Sequence, residues 1–165
     1  MTEYDSHFLT YSNRYFGPHF DWRYFKAQAI VESRLRPDVR SPDGAMGIMQ
    51  IRPRTFREIA LKLPHIRSRP KQPRWSIEAG IYYSRILWDE WPDDVSIPDR
   101  LNFMLASYNA GKSNIIRAQR TAASMGLNPN LWKSIERALP LVTGESGRVT
   151  VGYVRKVNHT WLALQ

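Results

Sequence analysis

Apolar residues in this chain recur at three- and four-residue steps far more often than they alternate, so the pattern predicts helices. Asp21 can cap a helix over about 22–34, in which Trp22, Phe25, Ala29 and Glu32 share one side. Pro37 stops it. Pro53 suits the first turn of a helix over about 53–63, with Phe56, Ile59, Ala60 and Leu63 on one face, and Pro64 ends that one. Ser76 is placed to cap a third helix, where Ile77, Ile81, Ser84, Trp88 and Trp91 line up before Pro92. A fourth starts near Pro98 and runs through Leu101, Met104, Leu105 and Tyr108 to Gly111. A fifth covers about 113–125 and stops at Gly126. Shorter helices are expected over 129–139 and 152–164, the last turning Tyr153, Val157, Trp161 and Leu164 inward. The segments between are short and rich in Pro, Gly, Ser and Asn. Only 147–151 alternates, weakly, like a strand.

The expectation is therefore one mainly α domain over 1–165, since 165 residues bury one sizeable core and are too few for two ordinary domains. Hydrophobic residues make up 42%, which marks a globular chain rather than a disordered one. No apolar run approaches the roughly 20 residues of a membrane span. The absence of cysteine excludes disulfides and thiolate metal sites. His7, His19, His65 and His159 are far apart, without metal-ligand spacing, and read as incidental. Residues 1–7 carry acids and no basic-then-apolar leader, so the chain as given shows no signal peptide. Six Trp, eight Tyr and six Phe serve either a core or a ligand cleft. The net charge of +9 favours polyanionic partners such as nucleic acid, anionic lipid or an anionic cell wall. The basic residues are spread along the chain, with a loose concentration over 67–74 that reads as a solvated loop.

Three short segments carry candidate chemistry. Glu32 lies at the end of an apolar helical face, where desolvation would raise its pKa and leave a protonated acid near neutral pH. The plainer alternative is a solvent-facing glutamate paired with Arg36. Gly44-Ala45-Met46-Gly47-Ile48-Met49-Gln50 follows, its glycines permitting a tight turn that brings Met49 and Gln50 back towards Glu32. Gln50 offers a donor and an acceptor suited to sugar hydroxyls and N-acetyl groups; the alternative is a loop that needs glycine only to turn. Ala106-Ser107-Tyr108-Asn109-Ala110-Gly111 places Tyr and Asn together at a helix end, where Asn and Gly also serve as an ordinary stop.

Taken in order, Glu32-Ser33, Ser41, the Gly-Ala-x-Gly-x-Met-Gln turn, Tyr108-Asn109-Ala110-Gly111 and Tyr153-Val154 resemble the soluble lytic transglycosylase family of the goose-type-lysozyme-like superfamily. The resemblance is strongest to the catalytic module of the membrane-bound lytic murein transglycosylases of type F. It runs from about Tyr4 to Trp161 and takes in Phe20-Asp21-Trp22-Arg23, Ile77-Glu78-Ala79-Gly80, Asp99-Arg100 and Met125-Gly126-Leu127-Asn128-Pro129-Asn130. It implies a single lysozyme-like helical domain that cleaves the MurNAc–GlcNAc β-1,4 bond of peptidoglycan. It places the catalytic acid/base on Glu32 and substrate contacts on Ser41, Met49, Gln50, Tyr108, Asn109 and Tyr153. It implies no metal or organic cofactor, peptidoglycan strands as the partner in place of nucleic acid, and action in the cell envelope; a monomer is a separate expectation, which the resemblance does not carry. Two positions depart from the family pattern: Ser76 stands where Asn is frequent, and Val149 where Glu is frequent.

A hydrolytic glycosidase ordinarily needs two carboxyl groups. No second acid here belongs to a recognisable motif, and Asp38 and Asp43 suit turn positions. One acid suffices if the substrate supplies the nucleophiles, which points to non-hydrolytic cleavage leaving 1,6-anhydro-MurNAc ends. The alternatives are a hydrolytic goose-type lysozyme, a non-catalytic wall-binding module, and a charge-driven nucleic-acid binder.

Overall fold

The computed structural model describes residues 3–67 and 69–165. Met1 and Thr2, which head the stretch read for an export signal, and Ser68, in the basic loop, lie outside the described residues. The regular elements are α1 (Asp5–Phe16), α2 (Arg23–Ser33), α3 (Pro53–Lys62), a 3-10 turn (Pro64–Ile66), α4 (Pro73–Trp88), α5 (Ile97–Ala110), α6 (Lys112–Ser124), α7 (Trp132–Thr143) and α8 (Glu145–Leu162). The fold is all-helical. Among the described residues, extended pairing is limited to the isolated bridges Arg40–Met46 and Met46–Ile51.

Most helix ends fall within a residue or two of the proline and glycine signals; the helix expected over 129–139 instead starts at Trp132 and continues through Pro140 to Thr143, and three further features differ. The sequence pattern missed α1, because its buried residues Asp5, Phe8, Tyr11 and Ser12 are half polar and dilute the apolar period. Second, α4 starts at Pro73, so Ser76 lies inside the helix and is no cap. Third, 147–151 is the second turn of α8 rather than a strand. There Thr150, Tyr153, Val154 and Val157 face inward at helical spacing, while Val149 is exposed.

The chain forms two compact units, Met1–Arg85 with Val157–Gln165, and Ile86–Lys156. In the first, Phe8, Tyr11, Phe25, Ile48, Ile77 and Ile81 are essentially unexposed; burying a side chain of this size stabilises by about 1.5–3 kcal/mol. Lys26 and Asp5 form a buried ion pair at 2.7 Å between α2 and α1. The end of α8 is tied to the start of α2 twice over. Tyr24 stacks on Trp161 with centroids 4.3 Å apart, and Trp161 Nε1 donates to Asp21 Oδ2 at 2.8 Å.

Asp21 also accepts from the Arg23 backbone N–H at 3.0 Å and from the Arg23 guanidinium at 2.8 and 3.0 Å. Burial works to raise its carboxyl pKa. The bonds from Arg23 and Trp161 outweigh that and hold it below the usual value.

In the second unit, Leu101, Phe103, Met104, Leu105, Ile135 and Leu139 make the core. Ser96 caps α5 by accepting from the Asp99 N–H, and Asp99 Oδ1 accepts from the Trp132 N–H at 2.7 Å, so one carboxylate joins the starts of α5 and α7. Arg100 donates to the Trp88 carbonyl at 3.0 Å and to Asp93 at 2.6 Å. Asp99-Arg100, part of the family resemblance, is thus a helix junction.

Candidate active site

Glu32 is the penultimate residue of α2 and is half-buried. The helix ends abruptly behind it: Arg34 and Leu35 take left-handed φ values of 56° and 60°, a conformation that costs about 1–2 kcal/mol for non-glycine residues. Arg36 Nε donates to the Ser33 carbonyl at 3.3 Å. The last turn of α2 holds no basic residue, so the carboxylate sits at the unfavourable end of the helix dipole. Ser33, buried, joins this helix end to the turn that follows. Its hydroxyl lies 2.8 Å from the Ile48 carbonyl and 3.2 Å from that of Ala29, one proton serving the two acceptors.

The turn over 41–51 is closed by its own backbone. Met46 and Ile51 exchange N–H to O bonds at 3.1 and 3.2 Å, Gly47 donates to the Val39 carbonyl at 3.1 Å, and Ser41 donates to that of Ala45 at 2.9 Å. Gly47 has φ 77°, and a Cβ there would meet the Pro70 carbonyl oxygen at 2.5 Å and Ser76 Oγ at 2.7 Å. Only glycine fits. Ser76 Oγ accepts the Met49 N–H at 3.1 Å, so the residue read as a cap instead holds the turn against α4. The departure from Asn at this position therefore keeps a working acceptor.

Glu32, Ser41, Met49 and Gln50 lie in one unit, and these contacts change what each side chain presents. Ser41 Oγ accepts the Ala45 N–H at 3.0 Å and so staples the turn, with its own proton still available to donate. Gln50, with φ 48°, spends its amide Nε2 on the carbonyls of Val39 (3.1 Å) and Gly47 (2.9 Å). That leaves the side-chain oxygen as the group it can offer, rather than both donor and acceptor. Met49 needs a larger correction. It is fully buried, and a Cβ placed on Gly80 would lie 2.6 Å from its Cγ, so its side chain fills the Gly80 notch of α4 behind the turn instead of lining a cleft.

Tyr108, Asn109 and Tyr153 belong to the other unit. Tyr108 is half-buried and Asn109 exposed in the last turn of α5. Asn109 Oδ1 lies 2.7 Å from Thr150 Oγ1 of α8, whose hydroxyl also reaches the Ser146 carbonyl at 3.1 Å. This bond orients Asn109, and the helix end is therefore more than a stop. Tyr153 is buried on α8, one turn beyond Thr150.

Most other carboxylates of the first unit are engaged elsewhere. Asp5 pairs with Lys26, Asp21 is held as described, and Glu58 pairs with Arg54 at 3.1 Å. Asp43 is exposed and 3.6 Å from Arg52, and Asp38 is exposed.

Glu78 is the residue that sequence reasoning passed over. It is fully buried in α4 and accepts from Arg14 at 2.9 Å and the Tyr15 hydroxyl at 2.9 Å, with His65 Nε2 at 2.8 Å. Burial, and then the bond to this carboxylate, push the Tyr15 phenol well above its ordinary value. His65 is thus a partner in a buried cluster and not incidental. The available signal was a charge between Ile77 and Ile81 on the core side of a helix, where an acid needs partners.

Comparisons with known proteins bear on the family and the fold. The transglycosylase SLT domain family matches residues 15–129. Membrane-bound lytic murein transglycosylase F of Shewanella sediminis is 32% identical over 157 residues, covering 94% of this chain and 30% of the relative. That of Shewanella pealeana is 34% identical over 122 residues, covering 74% and 24%. The chain thus spans about a quarter to a third of the length of these curated relatives. Among solved structures, the 70 kDa soluble lytic transglycosylase of Escherichia coli superposes with a TM-score of 0.70 at 26% identity, over 96% of this chain and 23% of that one. Its match over the whole helical chain identifies the fold as lysozyme-like. This chain belongs to the transglycosylase SLT domain family.

Proposed function

We propose that the protein is a lytic transglycosylase that cleaves the MurNAc–GlcNAc β-1,4 bond of peptidoglycan in the cell envelope. The observation that carries the proposal is the joint between Glu32 and the 41–51 turn: Ser33, next to Glu32, is bonded to the Ile48 carbonyl, in a chain of this family. An acid on a helix end braced against a glycine turn holds its position when a glycan strand binds, and positioning is a large part of what a single general acid needs.

In this reading, protonated Glu32 donates to the glycosidic oxygen as the C1–O bond breaks. The MurNAc N-acetyl oxygen bonds C1 from the opposite face, giving an oxazolinium intermediate. Glu32, now a carboxylate, takes the proton of the C6 hydroxyl as that oxygen attacks C1 and the N-acetyl oxygen departs. A 1,6-anhydro-MurNAc end forms, and Glu32 is again protonated. Water is not consumed. The first step requires Glu32 in its protonated form. The commitment of Asp5, Asp21 and Glu58 to basic partners supports a mechanism with one acid. Ser41 and the Gln50 side-chain oxygen are proposed as glycan contacts, with Met49 as the support behind them. Tyr108, Asn109 and Tyr153 are carried as substrate contacts by the family pattern.

Glu32→Gln is expected to bind glycan strands while losing turnover by about 10³-fold or more. Turnover retained within tenfold in that variant would remove Glu32 from the mechanism.

A further inference from the structure

The basic residues of this protein are spread along the chain, but its net charge is concentrated. Residues 52–74 hold eight of its 24 Lys and Arg residues against one acid, Glu58, and so carry +7 of the net +9. All eight basic residues are exposed. The same segment encloses a groove of about 660 Å³ along α3, with a wall of Met46, Pro53, Phe56, Ala60, Leu61 and Pro70. That volume lies within the roughly 300–1,000 Å³ of small-ligand sites. Arg54, Arg57, Glu58 and Arg67 also line it; Glu58 pairs with Arg54, and neither Arg57 nor Arg67 has a carboxylate partner among the described residues. The groove therefore presents apolar surface and two guanidiniums outside any ion pair, its one carboxylate, Glu58, being matched by Arg54.

We infer that this groove binds the peptide stem of the peptidoglycan strand, its carboxylates on Arg57 and Arg67 and its aliphatic side chains on the apolar wall. Guanidinium forks suit carboxylates geometrically. A nucleic acid would use the charge and leave the apolar wall unfilled, whereas a short acidic peptide with methyl and methylene side chains fills both. The groove also adjoins the proposed glycan contacts. Met46 lines it, and Met46 is paired through its backbone with Ile51, so Gln50 lies inside the loop that this pairing closes. A peptide leaving a sugar held at Gln50 has the groove along the same turn. The inference rests on the proposed function for the identity of the ligand, and its test does not depend on turnover.

The probe is the free stem tetrapeptide L-Ala-D-Glu-meso-diaminopimelate-D-Ala, titrated into the intact protein while methyl resonances of Leu61 and Ala60 are followed by NMR. Saturable shifts are expected, weakened at least tenfold in the Arg57→Ala/Arg67→Ala double variant and by amidating the peptide's carboxylates. Both arginines are exposed, so the variant keeps the fold, which circular dichroism checks. The variant is also expected to cleave glycan strands stripped of peptide at the wild-type rate and peptide-bearing strands more slowly. Unshifted groove methyls, or equal affinity in the double variant, would overturn the inference. So would a short duplex DNA that shifts these methyls where the tetrapeptide does not. Tetrapeptide binding by a protein that cleaves no strand would leave the groove assignment standing and remove the proposed function instead.

Discussion

Gly80→Ala probes the packing that holds the 41–51 turn. In the interior of a helix, replacing glycine by alanine is by itself stabilising by about 1 kcal/mol. Here the new Cβ would lie 2.6, 2.7 and 2.8 Å from Met49 Cγ, Cβ and Cε, all closer than real Cβ contacts come. Met49 is flexible, yet it is fully buried and its N–H is fixed to Ser76 Oγ, so it has little room to yield. Overpacking of this kind costs about 1–3 kcal/mol. The net expectation is destabilisation by about 1 kcal/mol, read by urea denaturation, which for a chain of this size lowers Tm by about 3 °C. Met49→Ala alone should cost about 2–5 kcal/mol through the cavity it leaves. In that background the new Cβ escapes Met49 Cγ and Cε and meets only the Cβ that the alanine retains, at 2.7 Å, so Gly80→Ala should come out about neutral. The two substitutions thus couple by about 1 kcal/mol. If Gly80→Ala stabilises equally in both backgrounds, Met49 does not occupy the notch and the turn is held by something else.

The other contacts make separate predictions. Ser76→Ala removes the hydroxyl that accepts the buried Met49 N–H and should cost about 1–3 kcal/mol in chemical denaturation; a neutral result would mean that another group replaces Oγ. Glu78→Gln weakens a fully buried carboxylate cluster, and about 2–4 kcal/mol of destabilisation is expected, with Arg14→Ala giving a smaller loss because Tyr15 and His65 remain. The Asp21 carboxyl titrates below its ordinary value, so its contribution to stability is complete above about pH 4 and is lost as pH falls through the folded value. Asp21→Asn should accordingly be less stable than wild type by about 1–2 kcal/mol at pH 7, with the gap closing below pH 4. A gap independent of pH would show that the carboxylate is not what Arg23 and Trp161 recognise.

What could be read from the sequence is what local chemistry decides. The limits of α2, α3, α5 and α6 followed from prolines and glycines beside apolar residues at helical spacing, and those signals act within a few residues. The turn behind Glu32 was visible for the same reason. What the sequence concealed depends on partners far along the chain. A serine ahead of an apolar helical run is the same residue whether it caps the helix or accepts a loop N–H 27 residues away, and Ser76 does the second. Glu78 looked like one acid in a helix because Arg14 and Tyr15 come from 64 and 63 residues upstream. Gln50 shows a subtler limit. Its residue type announced a donor and an acceptor, but the carbonyls that consume the donor become apparent only once the turn has closed. The basic segment 52–74 was countable from the outset, whereas the groove it surrounds required α3 and the following loop to be folded together.

The chemistry of the product's new end tests the assignment of Glu32 as a sole acid and base most directly. Purified murein digested with wild-type protein, its soluble fragments separated and weighed by mass spectrometry, should yield muropeptides one water lighter than their hydrolytic counterparts, ending in 1,6-anhydro-MurNAc. Digestion by Glu32→Gln should yield almost none. Fragments bearing only reducing MurNAc ends would show that water enters the reaction, and would contradict a single-acid transglycosylase.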